Sequence, residues 1–251
     1  MNLDLALKTT RSLALSAGKA LKDLQPRAKQ IRQSRKDFVT QADYLAEGII
    51  LPGLKDQFPE IEIYSEEAGG KLKRSGWQWI IDPMDGSWMY YKQWKAWGVS
   101  SALVHNGLTQ LGVVHLPARG VIFTALADGS LKGPTKLSQE SDLKESLVLA
   151  DWTKPDYPDV TLRVLAKLAR GTRYPGILVS CTDSMMKVAM GKADGYVCPA
   201  PAPEDHAAAG LIVQQAGGRV TDMEGKAWTP FSKSLVASNG ILHDSLLELL
   251  N

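Results

Sequence analysis

The sequence predicts an α/β protein (α+β in its first part) built as two lobes, and three observations predict it. Apolar residues near the start recur at helical spacing. The middle changes to period-two alternation or short apolar runs between Gly, Asn and Pro. Beyond Ser146, strand and helix patterns alternate. With 251 residues, 44% of them apolar, the chain can bury a large core. No linker divides it, so a soft boundary near residue 145 separates an N-terminal lobe, 1–145, from a C-terminal lobe, 146–251.

In order, Leu3, Leu7, Leu13, Ala17, Ala20, Leu21 and Leu24 form the apolar stripe of a first helix. A basic stretch with Arg32, Arg35 and Lys36 follows, fitting a lid over an anion or a solvated loop equally. Thr40, with Asp43 three residues on, is a good start for a second helix, which Pro52 is expected to kink or end. IEIYS, WQWII, GVSSALV, LTQLGVVHL and VIFTALA then read as strands of a mostly antiparallel sheet, with Asn106–Gly107 as a hairpin turn. The second half reads SLVLA (strand), VTLRVLAKLAR (helix), GILVSC (strand), TDSMMKVAMGKA (helix), GYVC (strand), AAAGLIVQQAGG (helix) and a closing LLELL helix.

Charge and cysteine content exclude several function classes. Twenty-nine Lys and Arg against 27 Asp and Glu give +2, scattered along the chain, so no footprint for nucleic acid is present. Cys181 and Cys198 are the two cysteines, too few for a disulfide framework and not in a CxxC pair, which implies reduced thiols, a cytoplasmic location and no cysteine-built zinc site. Asp4, Lys8 and Arg11 interrupt the first apolar segment, so neither a signal peptide nor a membrane span is expected there.

Two acidic turns carry the chemistry. Glu66 and Glu67 close one strand, and WIIDPMDGS delivers Asp82 and Asp85 as another runs out. Asp-Pro and Asp-Gly are also ordinary turn dipeptides. The functional reading is a hard-cation site, in which carboxylates of Glu66, Asp82 and Asp85, the Met84 backbone carbonyl and the Ser87 hydroxyl suit Mg²⁺. Gly86 and Ser87, opening a helical turn, would point backbone N–H groups at an anion beside the metal. Asp205, at the start of an apolar helix, either closes a two-metal cage or caps that helix.

These motifs, in this order, resemble the inositol monophosphatase family: DFVTQAD followed by Glu47, FPEIEIYSEE, WIIDPMDGS followed by GVSSALV, GKADGY, and EDHAAAGLIVQQAGGRVTD before VASNG. The resemblance, from about Lys36 to Asn239, implies a layered αβαβα sandwich and a Mg²⁺-dependent, lithium-sensitive phosphomonoesterase acting on a small phosphorylated metabolite. It implies two to three Mg²⁺ ions on Glu66, Glu67, Asp82, the Met84 carbonyl, Asp85 and Asp205, with Glu67 serving an outer ion. Asp43, Glu66 and Ser87 become the catalytic residues, the Asp43–Ser87 pair orienting an attacking water for in-line displacement. Gly86, Ser87, Trp88, Ser180, Cys181, Cys198 and Asp205 become the substrate-binding set, and a homodimer is implied.

The substrate end departs from the family pattern. Ser87-Trp88-Met89-Tyr90 replaces Thr-Thr-Asn-Phe, and Val179-Ser180-Cys181-Thr182 replaces Gly-Ser-Ala-Ala, with Asp183 next to it able to repel a second phosphate unless Lys187 pairs with it. Cys198 stands where inositol-cleaving members have a Glu, and Glu204 where they have a Trp. Trp77 and Trp79 read as packing residues, Trp88 as packing or as a stacking surface, and Trp94 and Trp97 as an exposed lip or subunit contact. His206 reads as a surface residue or a neighbour of the ligands. The rival activities are a 3′(2′),5′-bisphosphate nucleotidase, a sugar bisphosphatase and a histidinol-phosphate phosphatase; the rival class is a non-catalytic metal- and phosphate-binding regulator.

Overall fold

The computed structural model describes residues 1–33, 38–152 and 158–251. Arg35 and Lys36 of the basic stretch lie outside them. Helix α1 (Leu3–Leu24) is followed by a two-stranded ribbon, β1 (Gln30–Gln33) and β2 (Phe38–Thr40), and by α2 (Gln41–Gln57). The start of α2 follows from its own residues: Thr40 and Asp43 form a reciprocal capping box. Of the two outcomes expected at Pro52, a kink or an end, the structure excludes the end. The helix runs on to Gln57 because Ala46, Ile50, Leu51 and Leu54 are buried, and that burial outweighs one lost backbone hydrogen bond.

A six-stranded sheet comes next, formed by β3 (Glu62–Ser65), β4 (Trp77–Asp85), β5 (Gly98–His105), β6 (Leu108–Leu116), β7 (Val121–Leu126) and β8 (Leu131–Lys132) in sequence order. It is antiparallel except at β3 and β4, which run parallel. Between β4 and β5 lies the short helix α3 (Ser87–Tyr91). Asn106 and Gly107, both at positive φ, make the hairpin turn between β5 and β6.

The second sheet contains β9 (Leu147–Ala150), β10 (Tyr174–Ile177), β11 (Gly195–Cys198), β12 (Arg219–Thr221) and β13 (Leu235–Ser238), in the order β10-β9-β11-β13-β12. β10, β9 and β11 are parallel, and β13 and β12 are antiparallel to their neighbours. Helices α4 (Pro158–Gly171), α5 (Cys181–Ala189), α6 (Pro203–Gln215) and α7 (His243–Leu250) complete the chain.

Three buried clusters fix the layering. Trp79 and Ile81 of β4 point to α1 and α2, whereas Ile80 between them points to Met185 and Met186 of α5 and Ala207–Ala209 of α6. The same cluster continues into Leu149, Tyr196 and Leu235 of the second sheet. Val148, Val197 and Val236 face the other way, onto Val164 and Leu168 of α4 and Leu246 of α7. The order is therefore α1/α2, first sheet, α5/α6, second sheet, α4/α7, an αβαβα sandwich as expected. Gly112 of β6 permits the central contact, since a Cβ there would lie 2.7 Å from the Ala208 carbonyl oxygen of α6.

Candidate active site

The acidic turns meet where the first sheet runs out against the central helices. Asp82, Asp85 and Asp205 each offer a carboxylate oxygen, all within 4.8 Å of one another. Asp82 and Asp85 come from the end of β4, where the pairing with β5 shifts register between them. Asp205 comes from the first turn of α6. That helix starts with Pro203 after Ala202, which makes no side-chain cap, so Asp205 is a first-turn acid and not the cap. Glu66, just past β3, lines the same cavity of about 220 Å³, together with Met84, Gly86, Ser87, Trp88, Ser180 and Cys181. Its charge raises the pKa of both Asp82 and Asp205.

Asp82 and Asp85 are held in place by hydrogen bonds. Asp82 Oδ1 accepts the Met84 N–H at 2.9 Å. Its buried Oδ2 has no hydrogen-bond partner among the described residues, which suits an oxygen that ligates a cation. Asp85 Oδ2 accepts the Ser180 hydroxyl at 2.6 Å and the Thr182 N–H at 2.7 Å, tying it to the start of α5. Burial, then neighbouring carboxylates, push Asp82 and Asp205 well above the usual range; Glu204 is the largest charge acting on Asp205. Burial also raises Asp85, against the hydrogen bonds from Ser180 and Thr182. Such crowding of hard oxygen donors is costly without a cation and suits a divalent ion such as Mg²⁺.

Beside the cluster, Asp43 Oδ1 accepts the Ser87 hydroxyl at 2.6 Å, and its Oδ2 accepts the Thr40 N–H and hydroxyl, each at 2.8 Å. Asp43 is thus locked by the capping box that starts α2, with Ser87 facing the cavity. Burial raises the pKa of Asp43 and these hydrogen bonds lower it. Gly86 permits the sharp turn: its φ is +87°, and a Cβ would lie 2.7 Å from the Ala96 carbonyl oxygen.

The substrate-end expectations fare unevenly. Trp88 is 40% exposed, lines the cavity and packs edge-on against Phe38. Trp94 is exposed, but Trp97, expected on a lip, is fully buried against Tyr90 because it enters β5 on the face covered by α1 and α2. Asp183 is fully buried, paired bidentately with Arg119 at 2.6 and 3.1 Å and with Lys187, and is not a cavity-lining charge. His206 is not at the surface. It is fully buried against Trp228, and burial pushes it down to about 3.

Cys181 lines the cavity, whereas Cys198 stands behind it with Sγ 4.0 Å from Asp151 Oδ2. Glu67, half-buried next to Glu66, is not among the residues lining the cavity. The sequence reading missed Asp151 and Trp152, which follow β9 and line the cavity. Burial and then the Asp85 charge push Asp151 up to about 7. The available signal was an Asp directly after the apolar run SLVLA, because ligands gather at the carboxyl ends of parallel strands.

Several known proteins resemble this chain in sequence and in fold. The sequence profile of the inositol monophosphatase family matches residues 2–251. A Thermotoga maritima protein named fructose-1,6-bisphosphatase/inositol-1-monophosphatase is 32% identical over 219 residues, 86% of this chain and 83% of that one. A Mycobacterium tuberculosis histidinol-phosphatase is 31% identical over 225 residues, 85% of this chain and 84% of that one. The structure of a Thermotoga maritima IMPase superposes with a TM-score of 0.86 at 31% identity, covering 99% of this chain and 96% of that one.

Proposed function

The chain belongs to the inositol monophosphatase family, and from that premise we propose that Asp82, Asp85, Asp205 and Glu66 hold Mg²⁺ ions, two to three in all, for hydrolysis of a phosphate monoester by water. The protein is a phosphoric monoester hydrolase of small phosphorylated metabolites. One observation carries the site assignment: three buried or half-buried carboxylates from two separate elements converge within 4.8 Å in a cavity that also holds the Asp43–Ser87 pair.

Mg²⁺ held there supplies positive charge that lowers the pKa of a neighbouring water and offsets charge on the leaving oxygen. The chain's own residues do the rest. Asp43 holds the Ser87 hydroxyl proton, leaving the Ser87 oxygen lone pairs to accept a hydrogen bond from the attacking water and aim it. The Met84 carbonyl, with Glu67 for an outer ion, completes the ligand set. The Gly86 and Ser87 N–H groups face the phosphate, and Ser180, Cys181 and Trp88 border the alcohol part. A binding-only regulator would have no use for a water-aiming hydroxyl pair.

The reading extends to lithium inhibition, to a cytoplasmic location supported by two free thiols, and to a homodimer whose contact includes the exposed Trp94. Among the described residues, no helix is long and apolar enough to cross a membrane. Phosphate release is the test, measured from inositol phosphate, fructose bisphosphate, 3′-phosphoadenosine phosphate, histidinol phosphate and glycerol phosphate, with Asp85→Asn as the blank. Magnesium-dependent turnover lost in the variant is expected; turnover that survives Asp85→Asn would overturn the site assignment.

A further inference from the structure

We propose that the outward face of α1 is a docking surface for a bilayer with anionic headgroups, so that the protein partitions reversibly onto such membranes. The inference goes beyond the phosphatase reading and rests on none of the residues that carry it.

The small net charge of the chain hides an uneven distribution. Between Leu5 and Gln33 stand seven Lys and Arg against one acid, Asp23, which leaves 22 basic against 26 acidic residues for the rest of the chain. The fold turns this charge outward. Buried Ala6, Thr10, Ala17 and Leu21 mark the core side of α1. At helical spacing Lys8, Leu15 and Lys19 fall opposite them, flanked by Arg11 and Lys22 on one side and by Leu5 on the other. All six are exposed. From Lys8 to Lys22 the row runs about 21 Å along the helix axis, and the two acids of the helix, Asp4 and Asp23, stand at its ends. Because α1 belongs to an outer layer of the sandwich, its core lies on one side and the basic row faces away from it.

Two features select a lipid surface among polyanions. Leu5 is 43% exposed and Leu15 36%, both within the basic row. Apolar side chains among lysines gain from the boundary between headgroups and acyl chains, and gain nothing from a phosphate backbone. The helix also contains no aromatic residue, so it offers a single-stranded nucleic acid no platform for stacking its bases. Each Lys or Arg brought to an anionic leaflet favours binding about fivefold, so four of them on one face are enough for a reversible attachment. No residue of α1 is among the described residues lining the catalytic cavity, so docking uses none of that lining.

Sedimentation with vesicles of phosphatidylcholine alone, and of phosphatidylcholine with about one-third phosphatidylserine, gives the partition coefficient of the whole protein at about 0.1 M salt. Wild type is expected to bind the anionic vesicles about a hundredfold more strongly than the neutral ones, and to lose most of that preference at about 1 M salt, where charges are screened within about 3 Å. Lys8→Glu with Lys19→Glu should lower anionic binding about a hundredfold, Lys8→Arg with Lys19→Arg should keep it, and Leu5→Ser with Leu15→Ser should lower it about tenfold. Melting followed by circular dichroism reports that each variant is folded, and phosphate release in solution should be the same in all of them. Binding to neither vesicle, equal binding to both, or anionic binding that survives the two glutamates overturns the proposal. So does a dispensable leucine pair combined with a labelled single-stranded RNA held through Lys8 and Lys19, which makes the face a nucleic-acid surface instead.

Discussion

Asp82→Asn is expected to make the metal-free protein more stable while destroying its activity. Without a cation, Asp82 shares a 4.8 Å space with Asp85 and Asp205, and it is 1% exposed. At an effective dielectric near 20, two unit charges at that separation repel by about 3 kcal/mol, and desolvation adds cost in the same direction. The folded-state pKa of Asp82 is raised, by burial first and then by Glu66 and Asp85. The folded protein therefore holds this proton to higher pH than the unfolded chain does. Stability is lost as pH rises from the ordinary carboxylate range through the raised value.

The amide removes the charge and keeps the oxygen that accepts the Met84 N–H at 2.9 Å. Allowing for partial relaxation of the charged cluster, a gain of about 2 kcal/mol is expected, or about 4–8 °C in melting temperature for a chain of this size. The assay is calorimetric melting in EDTA near neutral pH, in EDTA at mildly acidic pH, and with saturating Mg²⁺. The variant should melt higher than wild type in neutral EDTA, lose that advantage as acid protonates the wild-type cluster, and show a much smaller rise with Mg²⁺. A variant that melts at or below wild type in neutral EDTA would refute the reasoning, because the three carboxylates would then not be a charge-strained cluster.

Three further perturbations address other parts of the site and core. Ser87→Ala should lower kcat by about 10²–10⁴ with little change in KM, measured by steady-state phosphate release, because it removes the hydroxyl held by Asp43. Arg119→Met leaves the fully buried Asp183 with Lys187 as its remaining ion-pair partner and should cost about 3–5 kcal/mol, read from urea unfolding midpoints. His206→Met should make the protein more acid-resistant. The folded pKa near 3 lies below the ordinary 6.5, so wild type loses about 1.4 kcal/mol per pH unit as pH falls between those values, and the variant does not, as unfolding at stepped pH would show.

How legible the molecule was depended on how local each cause is. The start of α2 was readable because Thr40 and Asp43 are three residues apart and cap each other. The sheet order β3 to β8 follows sequence order, so alternation and one Asn-Gly turn predicted most of the first sheet. Asp82 and Asp85 stood out as acids at the end of an apolar strand, but their convergence with Asp205 depends on α6 packing across β6, a contact that local patterning cannot report. The error on His206 has a similar source. Helix α6 lies between two sheets and buries residues all round, including His206, so a surface face was never available. Asp151 was overlooked because β9 and β11 are neighbours only after a crossover through β10, and only then does Asp151 meet Cys198 and the cavity.

The most direct test of the central claim, that these acidic turns hold the Mg²⁺ that drives hydrolysis, is the initial rate of phosphate release as a function of free Mg²⁺, for wild type and Asp205→Asn on one accepted ester. Wild type should be silent in EDTA and rise to saturation with Mg²⁺, and Asp205→Asn should stay folded by circular dichroism and remain inactive even at high Mg²⁺. Release that is independent of Mg²⁺, or an Asp205→Asn curve that overlays wild type, would contradict the account.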